Sequence, residues 1–153
     1  MQAFRLECPT GPREVKLDEL AASGIFHRRV PVSAGWEERL ADATHTIGLD
    51  GPHDDVALVS GDAANEPFAK EHRHAFAEAR YITSGMGLFD VRNTQDEWVR
   101  LFVTAGDLIV IPARRWHRFF VLGATIKVRR LFGKMDRWHA EWRDPKDRPI
   151  GRV

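Results

Sequence analysis

Three histidines and one glutamate occur at a spacing that suits metal binding. His72, His74 and Glu78 lie close together, and His117 follows the apolar run that leads to Pro112. In an extended segment successive side chains alternate between faces, so the even-numbered His72, His74 and Glu78 could project to one side and meet a single ion. The spacing therefore predicts a metal site formed by His72, His74, Glu78 and His117.

The types of these ligands limit the metal and its chemistry. Imidazoles combined with a carboxylate suit a divalent first-row ion such as Fe²⁺ or Ni²⁺, one per chain, better than an ion that prefers thiolates. The only cysteine, Cys8, is far away in the sequence. Four protein ligands on an octahedral ion leave two positions for a substrate with two adjacent oxygens. A tetrahedral zinc site with the same ligands is the alternative.

Arg130 is the next residue that could do chemistry. It shares the even-numbered, otherwise apolar face of a predicted strand over residues 125–132. A guanidinium that points inward needs an anion, because an unpaired buried charge is costly. The anion is either a core carboxylate, such as Glu71 or Asp107, or an acidic substrate.

Arg80 and three aromatic residues complete the set of candidate site residues. Arg80 continues the even-numbered face of the predicted ligands, so we expect it to look into the cavity or to form a salt bridge with Glu78. Phe68, Phe119 and Trp138 could wall a substrate pocket, although aromatic residues of this kind often belong to the ordinary core.

Strand patterns dominate the chain after residue 79. Segments rich in β-branched and aromatic residues alternate with residues that favour turns. The predicted strands are Arg80–Thr83, Leu88–Val91, Trp98–Val103, Leu108–Ile111, His117–Val121 and Thr125–Phe132, with turns at Gly85, Gly87, Asn93, Gly106 and Gly123. This order predicts an all-β sandwich or barrel.

The N-terminal part of the chain predicts a short helical flank to that barrel. Leu17–Ala22 and Ala34–Thr46 are helix candidates, and Ser33 is a possible cap of the second. Gly51–Asp55 is expected to form a loop before a strand at Val56–Val59.

Length and charge exclude several classes of protein. The 153 residues are enough for one domain, 1–153, with a barrel core at about 66–138. The formal charge of +1 gives no global attraction to nucleic acid or to an anionic membrane. No apolar stretch reaches the roughly 20 residues of a membrane span, a single cysteine cannot form an internal disulfide, and the N-terminus is too acidic for a signal peptide. We therefore expect a soluble, cytoplasmic protein.

Two motifs in this sequence resemble those of the cupin superfamily. The first is His72-x-His74-x-x-x-Glu78 followed by Gly85, and the second runs from Gly106 through Pro112 to His117. The resemblance implies a double-stranded β-helix, or jelly-roll barrel, that holds a metal. It does not specify the reaction, because cupins support many chemistries.

A longer set of segments is similar to the acireductone dioxygenase family of methionine salvage, over residues 66–138 and faintly over 17–30. The matching segments are Glu71–His74, Glu78–Ile82, Gly87–Arg92, Trp98–Arg100, Gly106–Ile109, Ile111–Ala113, His117–Phe119 and Arg130–Phe132. The resemblance implies a monomeric enzyme whose iron or nickel is held by His72, His74, Glu78 and His117. It also implies Arg80 and Arg130 beside the substrate, Glu71 behind the ligands, and Phe68, Phe119 and Trp138 around the methylthio end.

The implied reaction cleaves the enediol 1,2-dihydroxy-3-keto-5-methylthiopentene with O₂. Iron would give a 2-oxo acid and formate, and nickel a shorter acid, formate and carbon monoxide. Two alternatives stay open: a metal cupin that acts on another enediol or diketone as a dioxygenase or isomerase, and a ligand-binding cupin without turnover. The Ala75-Phe76-Ala77 linker favours the second, because it replaces the acidic linker usual in the family.

Overall fold

A computed structural model describes residues 1–134 and 139–147 of this chain. Ten β-strands and two α-helices occur in these residues. The strands are β1 (Gln2–Arg5), β2 (Arg13–Glu14), β3 (Phe26–Arg29), β4 (His53–Val59), β5 (His72–Arg73), β6 (Glu78–Arg92), β7 (Trp98–Thr104), β8 (Asp107–Ile111), β9 (His117–Leu131) and β10 (Glu141–Trp142). The helices are α1 (Leu17–Ala22) and α2 (Trp36–His45), and short 3₁₀ helices span Ala63–Ala69 and Pro145–Asp147.

The long strands β6 and β9 organise the sheet. The first part of β6 pairs with β8 and with the end of β9, whereas its second part pairs with β7 and with the beginning of β9. Strands β4 and β5 also pair with β9, and all recorded strand pairs are antiparallel. The two halves of the sheet therefore share β6 and β9, and the predicted all-β jelly-roll fold with short N-terminal helices is confirmed.

The prediction of turns at Gly85, Gly87 and Gly123 was wrong, because all three glycines lie inside long strands. Gly85 has a φ of 81°, and the pairing of β6 with β9 shifts register on both sides of Ser84. Before Ser84 two steps along β6 oppose one along β9, as in a β-bulge, and after Ser84 two steps along β6 oppose five along β9, so both strands continue through an irregular stretch. A short strand–turn–strand pattern and a bulged long strand look alike in sequence.

The N-terminal region is partly helical, as predicted, but it also supplies strands. Helix α1 has the predicted bounds, whereas α2 begins at Trp36 after Gly35, whose φ is 74°. Ser33 is not the helix cap, because its carbonyl accepts the Trp36 N–H in a turn before the helix. The predicted loop at 51–55 was too long, since β4 begins at His53.

Two apolar clusters hold the fold together. The larger lies between the two halves of the sheet and includes Ile82, Leu101 and Ile111, which are fully buried. In the smaller, Leu40 of α2 packs with Tyr81 on the outer face of β6. Among the described residues, no helix combines the length and the apolar character needed to cross a membrane.

Candidate metal centre

The fold brings the four predicted ligand residues together. His72 on β5 is paired in register with His117, the first residue of β9. His74 follows β5 in a loop, and Glu78 is the first residue of β6. One potential ligand atom from each of the four lies within 4.8 Å of the others, and all four side chains are buried.

Backbone carbonyls orient the three imidazole rings. The Nδ1 atoms of His72, His74 and His117 lie 2.7, 2.6 and 2.8 Å from the carbonyl oxygens of Lys70, His139 and Arg115 respectively. A carbonyl only accepts hydrogen bonds, so each Nδ1 donates, and in a neutral ring the lone pair is then on Nε2. This is the second hydrogen bond that metal-binding histidines commonly make.

Charge favours an ionised glutamate at the centre. Burial by itself raises the pKa of Glu78, but Arg80 and the neighbouring histidines outweigh it and hold that pKa well below its usual range. Burial, together with electrostatic repulsion from the neighbouring His117 ring, lowers the pKa of His72 to about 4. For His74 burial acts in the same direction, but its contact with Glu78 prevails and raises the pKa. The group thus offers one carboxylate anion and at least one neutral imidazole.

The donor set fits a divalent metal ion. The Glu78 Oε2 atom lies 2.7 Å from His74 Nε2 and 3.1 Å from His117 Nε2. Atoms bound about 2.1 Å from one ion at right angles are about 3 Å apart, which matches these distances. Because the lone pairs of Nε2 and of the carboxylate face one another, a cation between them would relieve their repulsion. The chain therefore has a metal site of three histidines and one glutamate.

A small cavity of about 70 Å³ adjoins this site. Apolar side chains form most of its wall, with Arg80 and Arg130 as its cations. The lining residues are Val56, Leu58, Phe68, His72, Glu78, Arg80, Phe89, Phe119, Val128 and Arg130. The cavity thus contains Phe68 and Phe119 as expected, whereas Trp138 lies outside the described residues.

Arg80 satisfies both expectations for it. It lines the cavity, and its Nη2 atom lies 3.3 Å from Oε1 of Glu78. Its Nη1 atom donates to the carbonyl of Ala79 at 2.9 Å. Burial lowers the pKa of Arg80. Because the pKa of an arginine is normally far above neutral, the group still keeps its positive charge beside the ligands.

Arg130 pairs with Asp54, a partner that was not predicted from the sequence. Its Nε atom donates to Oδ1 of Asp54 at 2.6 Å, and its Nη2 atom donates to Oδ2. The two core carboxylates that we considered, Glu71 and Asp107, are therefore the wrong protein partners. Alternation would have revealed Asp54 if the strand beginning at Val56 had been extended back by three residues, because Asp54 shares the even-numbered face of Val56.

Glu71 lies outside the cavity and contacts other cations. Its Oε1 atom is 3.0 Å from Nε of Arg92 and 2.7 Å from Nη1 of Arg143. Arg143 follows β10, which pairs with β5 next to His72. Glu71 thus links the segment that carries two predicted ligands to the segment around Arg143. Asp107 does not contact this segment, because its carboxylate binds His27 and Arg29.

An antiparallel jelly-roll barrel that gathers three histidines and a glutamate around one point, from three strands and the loop after β5, is a metal cupin. Comparisons with known proteins narrow this class. The model of the ARD/ARD' family matches residues 54–140. Acireductone dioxygenase from Candida albicans (strain SC5314 / ATCC MYA-2876) is 35% identical over 138 residues, which cover 85% of this chain and 76% of the relative. The acireductone dioxygenase of Heterostelium pallidum is 42% identical over 129 residues, covering 81% and 87% respectively.

A solved structure supports the same fold. Acireductone dioxygenase from Bacillus anthracis, with a cadmium ion in its active centre, superposes with a TM-score of 0.78 at 21% identity, over 93% of this chain and 98% of that one. The family match and the relatives together show that this chain belongs to the ARD/ARD' family of acireductone dioxygenases. The family resemblance found in the sequence is confirmed.

Proposed function

We propose that this protein is a metal-dependent acireductone dioxygenase that cleaves 1,2-dihydroxy-3-keto-5-methylthiopentene with O₂ in methionine salvage. The observation that carries the proposal is the juxtaposition of a three-histidine, one-glutamate site with a mostly apolar cavity that contains two arginines. Relatives named acireductone dioxygenase support the substrate.

His72, His74, Glu78 and His117 would hold Fe²⁺ or Ni²⁺, since imidazole and carboxylate suit both ions. When bound, the ion would act as a Lewis acid that orients two adjacent substrate oxygens and favours their ionised form. A single chain supplies all four residues and the cavity wall, which supports one ion per chain and a monomeric enzyme.

The protein side chains would hold the two ends of the substrate differently. Arg80 and Arg130 place fixed positive charge in the cavity, where an enediolate would carry its negative charge. Phe68 and Phe119 offer an apolar surface for the methylthio end, and we assign the same role to Trp138. Arg80, the arginine that contacts Glu78, is only 8% exposed, so little water reaches its charge.

Glu71 would act indirectly rather than at the substrate. It is 6% exposed, and its ion pairs with Arg92 and Arg143 brace the backbone next to His72. We infer that Glu71 positions this ligand segment. Its replacement by glutamine should therefore lower metal affinity more than it alters the chemistry of protein that retains metal.

The test is to measure oxygen uptake and formate release by separately iron- and nickel-loaded protein with a linear acireductone. We expect formate from both forms and different accompanying products. His117→Ala should lose most of its metal and activity. The matched control is His45→Ala, because His45 is an exposed histidine on α2.

Three results would contradict the proposal. Formate absent from both metal forms, with the substrate intact, would favour a binding protein. Substrate conversion without oxygen uptake would favour an isomerase. Full metal content in both His74→Ala and His117→Ala proteins would refute the ligand assignment.

A further inference from the structure

Arg115 lies in the turn between β8 and β9, two residues before the ligand His117. Its backbone carbonyl accepts the hydrogen bond from Nδ1 of His117 at 2.8 Å. Its guanidinium donates to two further carbonyls, with Nη1 3.1 Å from the oxygen of Arg92 and Nη2 3.0 Å from that of Ser23. Arg92 ends β6 and Ser23 ends α1. One residue thus joins the ring of a ligand to a strand end and a helix end.

The turn that carries Arg115 contains a residue in an unfavourable conformation. Arg114 has a φ of 60°, in the left-handed region that favours glycine. Its N–H donates to the carbonyl of the ligand His74 at 2.7 Å. Such a conformation persists where neighbouring contacts hold it, and the guanidinium of Arg115 supplies two of these contacts. A shift of this turn would therefore move the backbone next to two ligands, His74 and His117.

The contacts of the Arg115 side chain indicate a geometric role. Within residues 1–134 and 139–147, no carboxylate forms an ion pair with Arg115, and burial lowers its pKa. The guanidinium is bound instead by two neutral carbonyls from different elements of the fold. A planar guanidinium presents its donors in a fixed arrangement, which a flexible ammonium group cannot do. The Ser23 carbonyl is at the end of a helix, where arginine often satisfies the last carbonyls.

We propose that Arg115 is a positioning residue for the metal site. Its guanidinium clamps the turn to α1 and β6, and the clamped carbonyl of Arg115 keeps Nε2 of His117 directed at Oε2 of Glu78, 3.1 Å away. Arg115 does not line the cavity, so this role is indirect. The proposal deepens the proposed function and rests on it, because it concerns the ion on which the dioxygenase reaction would depend.

Lys70 provides the matched control for Arg115. It stands two residues before His72, and its carbonyl accepts a hydrogen bond from Nδ1 of His72 at 2.7 Å. The side chain of Lys70, in contrast, is exposed. The same substitution at both positions therefore leaves both carbonyls in place and removes a side-chain clamp only at Arg115.

The experiment measures the affinity for Ni²⁺ at neutral pH by competition with a chelator. Arg115→Gln should weaken Ni²⁺ binding on the order of tenfold, the lower end of the effect that follows loss of the outer hydrogen-bond partners of metal ligands. Lys70→Gln should bind Ni²⁺ like the original protein. Loss of a positive charge near a cation would by itself strengthen binding, so the expected change has the opposite sign to an electrostatic effect.

A milder variant keeps the test independent of folding losses. Arg115→Lys retains the charge but not the paired donors, and it should also weaken Ni²⁺ binding, by less than Arg115→Gln does. Tyr81→Phe, which loses a buried hydrogen bond to the carbonyl of Val30, controls for lower stability and should leave Ni²⁺ affinity unchanged.

A second measurement reports on the histidine rings directly. Paramagnetic Ni²⁺ shifts the NMR signals of bound imidazoles, so the exchange of their Nδ1 protons with water can be followed. In Arg115→Gln the Nδ1 proton of His117 should exchange faster than in the original protein, because the carbonyl that holds it is no longer clamped. In Lys70→Gln the Nδ1 proton of His72 should exchange as before.

Unchanged Ni²⁺ affinity in both Arg115 variants, or an equal fall in Lys70→Gln or Tyr81→Phe, would overturn the proposal. So would an unchanged exchange rate of the His117 proton in Arg115→Gln. None of these measurements needs the enediol or turnover. A failure of this proposal is therefore distinct from a failure of the dioxygenase assignment, which the formate assay decides.

Discussion

Replacement of Gly87 by alanine tests how closely the wall of the cavity is packed. Gly87 lies on β6 where the strand passes the ring of Phe119 on β9. A Cβ atom at this position would lie 2.7 Å from two ring carbons of Phe119 and 3.0 Å from Cδ1 of Ile126. Non-bonded carbon atoms prefer a separation of about 3.5–4.0 Å, so the ring must move by about 1 Å.

The direction of that movement determines the effect on function. The ring of Phe119 packs on Phe89 with centroids 4.6 Å apart, and the open space beside it is the cavity of about 70 Å³. Overpacking of this kind costs about 1–3 kcal/mol. At about 2 kcal/mol, Tm should fall by about 4–8 °C for a chain of this size. We expect KM for the enediol to rise more than kcat falls, because the ligands are untouched.

The assay combines thermal unfolding with steady-state kinetics and metal analysis. A smaller side chain at position 119 supplies the control, since Phe119→Leu removes the ring carbons that the new methyl group would meet. In that background Gly87→Ala should cost much less stability than it does alone. Unchanged Tm and KM in the single variant, or additive losses of stability in the double variant, would show that the Phe119 ring does not need a glycine at position 87.

Three other predictions follow from individual contacts. Arg130→Met should reduce kcat/KM at least tenfold with little loss of metal, whereas Arg129→Met on the opposite face should leave kcat/KM nearly unchanged; both are measured with metal-loaded protein. Burial alone would raise the pKa of Asp107, but the hydrogen bonds it accepts, that of His27 foremost, lower it to about 2. The ionised Asp107 therefore stabilises the fold fully above about pH 4, and this stabilisation is lost as the pH falls toward 2. The free energy of unfolding of the original protein should fall over that range by about 2 kcal/mol more than that of Asp107→Asn, as measured by denaturant titration at each pH. Tyr81→Phe removes a buried hydroxyl that donates to a carbonyl at 2.8 Å, and chemical denaturation should show a loss of about 1 kcal/mol.

Local patterns predicted the quartet of ligands and most of the strands. His72, His74 and Glu78 are close in sequence, so alternation along an extended chain was enough to group them. The strand that carries Arg130 was likewise visible from its apolar even-numbered residues. These features depend on nearby residues only, and for that reason they can be inferred from one sequence.

Features that depend on distant pairings could not be predicted in the same way. The partner of Arg130 is Asp54, which only the pairing of β4 with β9 brings into register. Strand β3 lacks an alternating pattern, since two partly buried residues precede two exposed ones, and it is defined by its hydrogen bonds to β8. The irregular pairing around Gly85 depends on the register between β6 and β9, which a glycine in a single sequence does not reveal.

The convergence of the imidazoles has a further cause beyond strand alternation. Strand β5 contains only His72 and Arg73, so His74 lies beyond its end and alternation alone does not aim its ring. The carbonyl of His139, distant in sequence, accepts the hydrogen bond from Nδ1 of His74 and turns Nε2 toward Glu78. Local carbonyls, two residues away in each case, do the same for His72 and His117. The spacing of the histidines selects which rings meet, and the backbone carbonyls decide which nitrogen each ring presents.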